Sequence, residues 1–262
     1  MQTYAKKPKT MQESADLVSK LLRELADMAK VGNNLLDLEA YAESFLKEHK
    51  ATSVNKGYKP EWAQKPYPNV LCLSVNDQIT HGIPRDYKLK DGDLLKIDVG
   101  IKYKGYCADS ALTVGIGNIS SRDERLIRYA KRAIYVGIDK IKAGVKISEV
   151  GIAIELYLRQ NGFMVNKALL GHTIGKEMHL SPKIPMFDTE SRLKKGAVVP
   201  VFKVGQVVCI EPHVSYKDWI GKLDNDGWTI KTRDGKNSVM FEHMVEIMKD
   251  GYKILTSHFI LE

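Results

Sequence analysis

The sequence predicts an α+β fold made of two helix–helix–strand–strand halves, related by a pseudo-twofold axis, with a central antiparallel sheet. Three observations predict this fold. Two amphipathic helices precede a strand hairpin between residues 92 and 113. The same order of elements recurs in the second half of the chain. Finally, Asp98 and Glu211 occupy matching points on strands of the two halves, so packing about such an axis would bring these acids together at the centre.

The bulk composition is typical of a globular protein. The chain has 262 residues, of which 44% are hydrophobic and 27% charged. We predict a single domain over residues 1–262, with an internal repeat of approximately 10–114 and 121–247. No apolar run reaches the roughly 20 residues that a membrane helix needs, so we expect no membrane association.

The cysteine content and the net charge indicate the cellular compartment and the possible binding partners. The three cysteines are far apart and fit neither a disulfide framework nor a zinc knuckle, which favours a reducing compartment, the cytoplasm. The net charge of +8 would suit weak contact with RNA or the ribosome. No nucleic-acid-binding motif accompanies it, so we expect no specific nucleic-acid binding.

The first unit begins with two helices. Thr10-Met-Gln-Glu13 is a capping box, and the apolar positions from Leu17 to Met28 share one face of the helix that follows. Gly32 ends that helix, and a second one carries an apolar face from Leu35 to Leu46. An irregular segment with one strand-like run, Val70 to Val75, leads to the hairpin.

The hairpin contains two acids on facing strands. Its turn, Lys102-Tyr103-Lys104-Gly105, has Gly at the fourth position, and a turn centred there pairs Asp98 directly with Asp109. Facing Cβ atoms lie about 4.5–5.5 Å apart, where like charges repel. Both carboxylates stay ionised only if a positive group lies between them; otherwise one holds a proton. A metal site is one interpretation, and a solvated strand face that includes neighbouring lysines is the other.

The second unit repeats the first at a nearly constant spacing. Ser121-Arg-Asp-Glu124 is another capping box, and Gly144 ends the third helix as Gly32 ends the first. The strand motif Lys90-x-Gly92-x4-Ile97-Asp98 recurs as Lys203-x-Gly205-x4-Ile210-Glu211. A series of matches in the same order indicates a duplicated unit.

Further candidate ligands follow in the second half. A predicted strand around Val239 to Ile247 carries Glu242, whose register against Glu211 is left open by two competing turns. His172 and His179 follow a β-like run from Phe163 to Leu170.

His81 lies in a turn-rich loop, where a lone histidine is usually a surface residue. The helical zinc motif H-E-x-x-H is absent from the sequence. Carboxylates with a single imidazole suit Mn, Fe, Co or Zn.

Taken in order, these residues resemble the type I methionine aminopeptidases over nearly the whole chain. The motifs that carry the resemblance are Ser74-Val-Asn-x4-His81-Gly-Ile-Pro84, Ile97-Asp98-x10-Asp109, Gly171-His172-x-Ile-Gly-x3-His179, Ile210-Glu211-Pro212 and Phe241-Glu242-His243. The resemblance implies the "pita-bread" α+β fold, whose pseudo-twofold symmetry agrees with the repeat.

The resemblance also implies the composition of the site. Two divalent metal ions, of Co, Mn, Fe or Zn, would be held by Asp98, Asp109, His172, Glu211 and Glu242. Asp109 and Glu242 would bridge the metals, and Glu211 would relay protons. His81 and His179 would be catalytic and contact the substrate. The methionine side chain would lie against Tyr67, Cys72, Met178 and Trp228, with Tyr58 and Trp62 as further candidates.

The implied function is a metal-dependent hydrolase, a cytoplasmic and monomeric aminopeptidase. It would remove the initiator methionine from nascent polypeptides when the second residue is small, using a two-metal-activated water. Two alternatives keep the fold. A prolidase-like or X-Pro aminopeptidase-like peptidase usually has an additional N-terminal domain, and a non-catalytic peptide-binding module loses the metal ligands that this chain keeps.

The chain departs from the family pattern at four places. Thr173 stands where the family usually has Gly, and the segment from Glu177 to Met186 lacks the usual acid after the histidine. The loops around residues 59–66 and before Gly205 are longer than in the shortest members. We expect these departures to affect substrate preference and rate more than reaction type.

Overall fold

A computed structural model of the protein describes residues 9–192 and 198–256. Parts of the predicted 1–262 domain, and of the long loop before Gly205, therefore lie outside the described residues. The described helices are α1 (Lys9–Met28), α2 (Leu35–Glu48), α3 (Ser121–Ile138), α4 (Ser148–Gln160) and one 3-10 turn, Glu190–Arg192. Every one of them is too short or too polar to span a bilayer.

Short strands make up the rest of the regular structure. In the described ranges they are β1 (Thr52–Ser53), β2 (Cys72–Val75), β3 (Gln78–Thr80), β4 (Leu94–Tyr103), β5 (Tyr106–Gly115), β6 (Met164–Val165), β7 (Leu170–Thr173), β8 (Leu180–Pro185), β9 (Val207–Ile210), β10 (His213–Ser215), β11 (Lys222–Leu223), β12 (Ile230–Lys231), β13 (Ser238–Met240), β14 (His243–Met248) and β15 (Gly251–Ile254). Two helices therefore precede antiparallel strands on both sides of residue 120. The repeat boundaries, 10–114 and 121–247, stay a prediction.

The helices form where their apolar periodicity predicts them, because each buries one face against a sheet or another helix. Leu21, Leu22 and Leu25 of α1 are fully buried, and α1 packs on β4 and β5. In the second half, α3 packs on α4 and on β13. The helices thus support the strands from which the candidate site residues project.

Both predicted N-cap residues are wrong. Thr10 lies inside α1 and does not cap it. The N-cap of α3 is Ser120, not Ser121: its hydroxyl accepts a hydrogen bond from the Asp123 N–H at 3.1 Å and donates to the Asp123 carboxylate at 2.7 Å. Ser120 and Ser121 each precede an acid by three residues, so the sequence pattern cannot separate them.

The predicted register of the central hairpin is also wrong. Lys104 and Gly105 form a two-residue turn with positive φ angles of 47° and 84°, so Tyr103 pairs with Tyr106. Asp98 therefore faces Ala111 and lies diagonal to Asp109. A shift by two residues keeps both acids on one face of the sheet, and only their direct pairing is lost.

Three predicted strands are shorter or interrupted. The run from Val70 to Val75 forms a strand only from Cys72 onward, and the run from Phe163 to Leu170 contributes only β6 and the first residue of β7. The predicted strand from Val239 to Ile247 is broken at Phe241-Glu242, between β13 and β14.

Two larger antiparallel sheets meet at the centre of the molecule. One has the order β1-β4-β2 with β5 also paired to β4, and the other has the order β15-β14-β9-β7-β8. The Glu242 N–H donates to the Ala111 carbonyl at 2.9 Å, and the Ser110 hydroxyl donates to the Glu242 carbonyl at 2.6 Å. These bonds join β5 to the break before β14, so acids from both halves converge.

Candidate active site

Every site residue predicted from the sequence lines one cavity of about 300 Å³. The cavity opens beside the junction of the two sheets. Its polar base, which we call the acidic floor, consists of Asp98, Asp109, His172, Glu211 and Glu242. One of its sides, which we call the apolar wall, consists of Tyr67, Cys72, Met178 and Trp228.

The four floor carboxylates come from three different backbone settings. Asp98 and Asp109 lie inside the long continuous strands β4 and β5. Glu211 follows the end of β9 and precedes Pro212, which cannot donate a strand hydrogen bond. Glu242 lies at the break between β13 and β14. The glutamates thus approach the floor from strand interruptions, and the shorter aspartates approach it from regular strands.

His172 shows the geometry expected of a metal ligand. Its Nδ1 lies 3.2 Å from the Thr173 carbonyl oxygen, which can only accept, so Nδ1 carries the proton of the neutral ring. The bare Nε2 then faces the Asp109 carboxylate at 3.5 Å and the Glu211 carboxylate at 3.7 Å. A lone pair facing two carboxylate oxygens is repulsive unless a cation or a carboxyl proton lies between them.

Two floor oxygens lack any hydrogen-bond partner among the described residues. Both Asp109 Oδ1 and Glu242 Oε1 are buried and unpaired. An unpaired buried carboxylate oxygen is costly, and a bound cation removes that cost. The residues present therefore fit a divalent metal centre, with hard oxygen donors and one imidazole.

Burial and mutual repulsion disturb the titration of the floor. Burial, and then repulsion by Asp109, raise the pKa values of Asp98, Glu211 and Glu242 well above their usual range. Burial also raises the pKa of Asp109 to about 7. Without a cation the floor holds protons at neutral pH, and metal binding must release them.

Cys209 is a floor neighbour that the sequence reasoning missed. Its sulfur and ligand atoms of Asp109, His172 and Glu242 all lie within 4.8 Å of one another. The spacing between the cysteines tests only for disulfides and zinc knuckles, so it does not select Cys209. The position of Cys209 two residues before Glu211 on a strand, and hence on the same face, could have revealed it.

The two predicted substrate histidines lie above the floor and are neutral at pH 7. Burial, reinforced by His179, lowers the pKa of His81 to about 4. Burial, followed by His172, lowers the pKa of His179 to about 3. The His81 Nδ1 atom is buried without a partner, and the His172 and His179 ring centroids are 4.5 Å apart.

A third histidine near the cavity, His213, was also missed. It lines the cavity from β10, and burial lowers its pKa to about 3. His213 directly follows Pro212, and none of the motifs selected from the sequence includes it. The sequence alone therefore offered no reason to select it.

The apolar wall is held rigidly. The Tyr67 and Trp228 rings meet edge to face with centroids 5.0 Å apart. The Tyr67 hydroxyl lies within hydrogen-bond distance of the Leu71 and Gly82 carbonyls, at 2.9 and 2.8 Å. Tyr58 and Trp62 also line the cavity and are exposed at its mouth.

The structure shows what surrounds two of the departures from the family pattern. The buried Thr173 hydroxyl donates to the Pro182 carbonyl at 3.0 Å and accepts from the Gln206 side chain at 2.9 Å. Its polar atom is therefore satisfied away from the cavity lining. In the segment without the usual acid, Lys183 lines the cavity.

Comparison with known proteins agrees with this geometry. The family model described as metallopeptidase family M24 matches residues 9–249. The methionine aminopeptidase of Clostridium perfringens is 35% identical over 246 residues, with 94% of each chain covered. Methionine aminopeptidase 1 of Bacillus subtilis is 36% identical, again over 94% of each chain.

Solved structures show the same relationship. The crystal structure of methionine aminopeptidase from Thermotoga maritima superposes with a TM-score of 0.87 at 31% identity, covering 96% of this chain and 98% of that one. Prolidase from Pyrococcus furiosus superposes with a TM-score of 0.71 at 19% identity, and 64% of that chain is covered. The second likeness concerns the fold alone.

Proposed function

The chain belongs to metallopeptidase family M24, and from that membership we propose that it is a methionine aminopeptidase, a hydrolase of the bond after an N-terminal methionine. The observation that carries the proposal is the pairing of an acidic floor with an apolar wall in one cavity. The floor suits metal-assisted hydrolysis, and the wall suits an unbranched thioether side chain.

The five floor residues are the proposed ligands of two divalent ions. When bound, these ions would activate a water and polarise the scissile carbonyl. The unpaired oxygens of Asp109 and Glu242 support the assignment of these two residues as bridging ligands. The charges balance, because four carboxylates carry −4 and two dications carry +4. The metal identity among Co, Mn, Fe and Zn is for experiment to determine.

Glu211 is the proposed proton relay. It accepts a proton from the attacking water and delivers it to the leaving amine. Its carboxylate is less buried than those of Asp109 and Glu242, with 15% of the side chain exposed toward the cavity, which supports contact with substrate.

His81 and His179 are the proposed substrate contacts. Both rings are neutral at pH 7, so each retains one N–H that can donate to an oxygen of the substrate. His179 donates to the oxyanion that develops in the tetrahedral state, where a prepositioned donor accelerates reaction by about 10²–10³-fold. His81, stacked against Trp62 at a centroid distance of 6.1 Å, orients the scissile peptide.

The cellular setting is also part of the proposal. We expect a monomer that acts in the cytoplasm on the N-termini of nascent polypeptides. The three free cysteines, all buried, support a reducing compartment. Exposed Arg122, Arg125 and Arg128 along α3 support weak contact with the ribosome.

A peptide panel tests the function. The metal-supplemented protein should cleave Met-Ala-Ser and tolerate Gly, Ser, Thr or Val in second place, because a cavity of about 300 Å³ favours small residues beside the methionine. It should refuse Met-Arg-Ser, and it should leave formyl-Met-Ala-Ser intact, because an aminopeptidase acts on a free N-terminal amine. Preferential cleavage of Ala-Pro peptides would instead indicate a prolidase-like enzyme, and peptide binding without cleavage a non-catalytic module.

A further inference from the structure

Cys209 lies at the middle of the second sheet, directly beneath the acidic floor. It is fully buried in β9, between β7 and β14. Its cross-strand neighbours are His172 on β7 and Met244 on β14. Because facing residues project from the same side of a sheet, the Cys209 and His172 side chains lie side by side.

Close packing of β7 against β9 fixes this arrangement. A Cβ atom added at Gly171 would collide with the Cys209 carbonyl oxygen, so Gly171 lets the two strands approach. The strand pair therefore holds the sulfur in one place beside the floor. Its sulfur lies within 4.8 Å of ligand atoms of Asp109, His172 and Glu242.

The thiol is also close enough to act on the floor carboxylate. Cys209 Sγ lies within 4.8 Å of a carboxylate oxygen of Glu242. Burial raises the pKa of Glu242, and the Cys209 thiol opposes that rise. An ionised carboxylate is an acceptor only, so a nearby donor can fix its rotation. Glu242 Oε1 is buried and has no hydrogen-bond partner among the described residues, so it can face a metal.

We propose that Cys209 is a positioning residue of the metal centre, whose thiol holds the Glu242 carboxylate in the orientation that binds metal. The inference rests on the proposed function, because it assumes that Glu242 is a ligand. Cys209 itself is not a ligand: the four floor carboxylates already balance two dications, and a thiolate would add an uncompensated buried charge.

Metal affinity provides the test, measured by calorimetric titration of metal-free protein with Mn²⁺. Cys209→Ala removes the donor and should weaken binding by about 10–100-fold, the usual effect of losing a group that orients a ligand. Cys209→Ser keeps a donor and should bind within severalfold of wild type. Cys107→Ala is the matched control, since that buried thiol contacts the Lys176 carbonyl at 3.3 Å and no carboxylate, and its affinity should equal wild type.

Wild-type affinity in Cys209→Ala would overturn the proposal. So would equal weakening in the Ala and Ser variants, which would mean that the thiol only fills space. Titration with Co²⁺ separates positioning from ligation: an intense near-ultraviolet thiolate band in wild type, absent from Cys209→Ser, would make Cys209 a ligand and also contradict the proposal. Cleavage of Met-Ala-Ser by wild type, measured in parallel, reports the proposed function independently.

Discussion

The floor and the wall of the cavity are both buried, and burial has opposite consequences for them. In the wall, Tyr67, Cys72 and Trp228 are at most 6% exposed, and removing these apolar groups from water stabilises the fold. In the floor, burial raises the pKa values of the carboxylates and leaves two oxygens without partners. The floor therefore depends on a bound cation, and the wall does not. Substitutions in the two regions should differ accordingly.

The largest effect should come from the floor. Asp109→Asn should lower kcat for Met-Ala-Ser by at least about 10³-fold, because a bridging position needs two oxygens and full charge. The metal-free variant should be as stable as wild type or more so, since repulsion within the floor is relieved. Thermal unfolding with and without Mn²⁺ should show that metal-dependent stabilisation is largely lost. Wild-type turnover in this variant would contradict the bridging assignment.

The histidines separate metal binding from substrate binding. His81→Ala and His179→Ala should each lower kcat by about 10²–10³-fold while metal content stays near wild type. His172→Ala should instead lower metal occupancy, because its Nε2 faces the floor carboxylates. Elemental analysis alongside kinetics checks this division, and metal loss in His179→Ala as severe as in His172→Ala would show that it is wrong.

The sequence predicted which residues form the wall and the floor better than it predicted the pairing of the strands that carry them. The hairpin and the repeat singled out Asp98, Asp109 and Glu211 as candidates, and the resemblance of the motifs to a known family added Glu242 and the wall residues. The direct pairing of Asp98 with Asp109 failed, because Lys104 adopts a positive φ that a non-glycine residue seldom adopts. With Lys104 and Gly105 at the centre of the turn, Gly105 takes the third turn position instead of the fourth. The conformational preferences of these residues did not predict that position.

The strand break at Phe241-Glu242 and the role of Cys209 were not predicted, for a different reason. Both depend on contacts between the two halves of the chain. The Ala111 carbonyl that accepts from the Glu242 N–H comes from β5, more than a hundred residues earlier. Cys209 gains its importance from Glu242 and from His172 on a neighbouring strand. Such long-range contacts cannot be read from spacing along a single strand.

The wall should show smaller, graded effects. An apolar pocket distinguishes substrates that differ by one methylene by only about 1–3 kcal/mol. Norleucine-Ala-Ser should therefore be cleaved with a moderately lower kcat/KM than Met-Ala-Ser, whereas Val or Asp in first place should be refused. Steady-state kinetics on these four peptides measure the difference, and equal rates for Met and Val would contradict the assignment of the wall.

The last effect should be a pH dependence of stability in the metal-free protein. Burial raises the pKa of Asp109 in the folded state to about 7, from about 4 in an unfolded chain. The folded state then binds more protons between these values, so the free energy of unfolding should fall as pH rises from about 4 to about 7. Urea titrations at each pH measure this fall. The fall in the free energy of unfolding should be smaller in Asp109→Asn, and also in wild type with saturating Mn²⁺. The same fall under both conditions would show that the acidic floor does not cause it.

The central claim is that the acidic floor is a two-metal catalytic centre. The most direct measurement titrates metal-free protein with Mn²⁺ or Co²⁺ and follows bound ion, by calorimetry, and Met-Ala-Ser cleavage in the same samples. The account predicts no cleavage in the chelated protein, activity that rises with occupancy, and saturation at two ions per chain. Full cleavage by protein that elemental analysis shows to be metal-free, or failure to bind either ion, would contradict it.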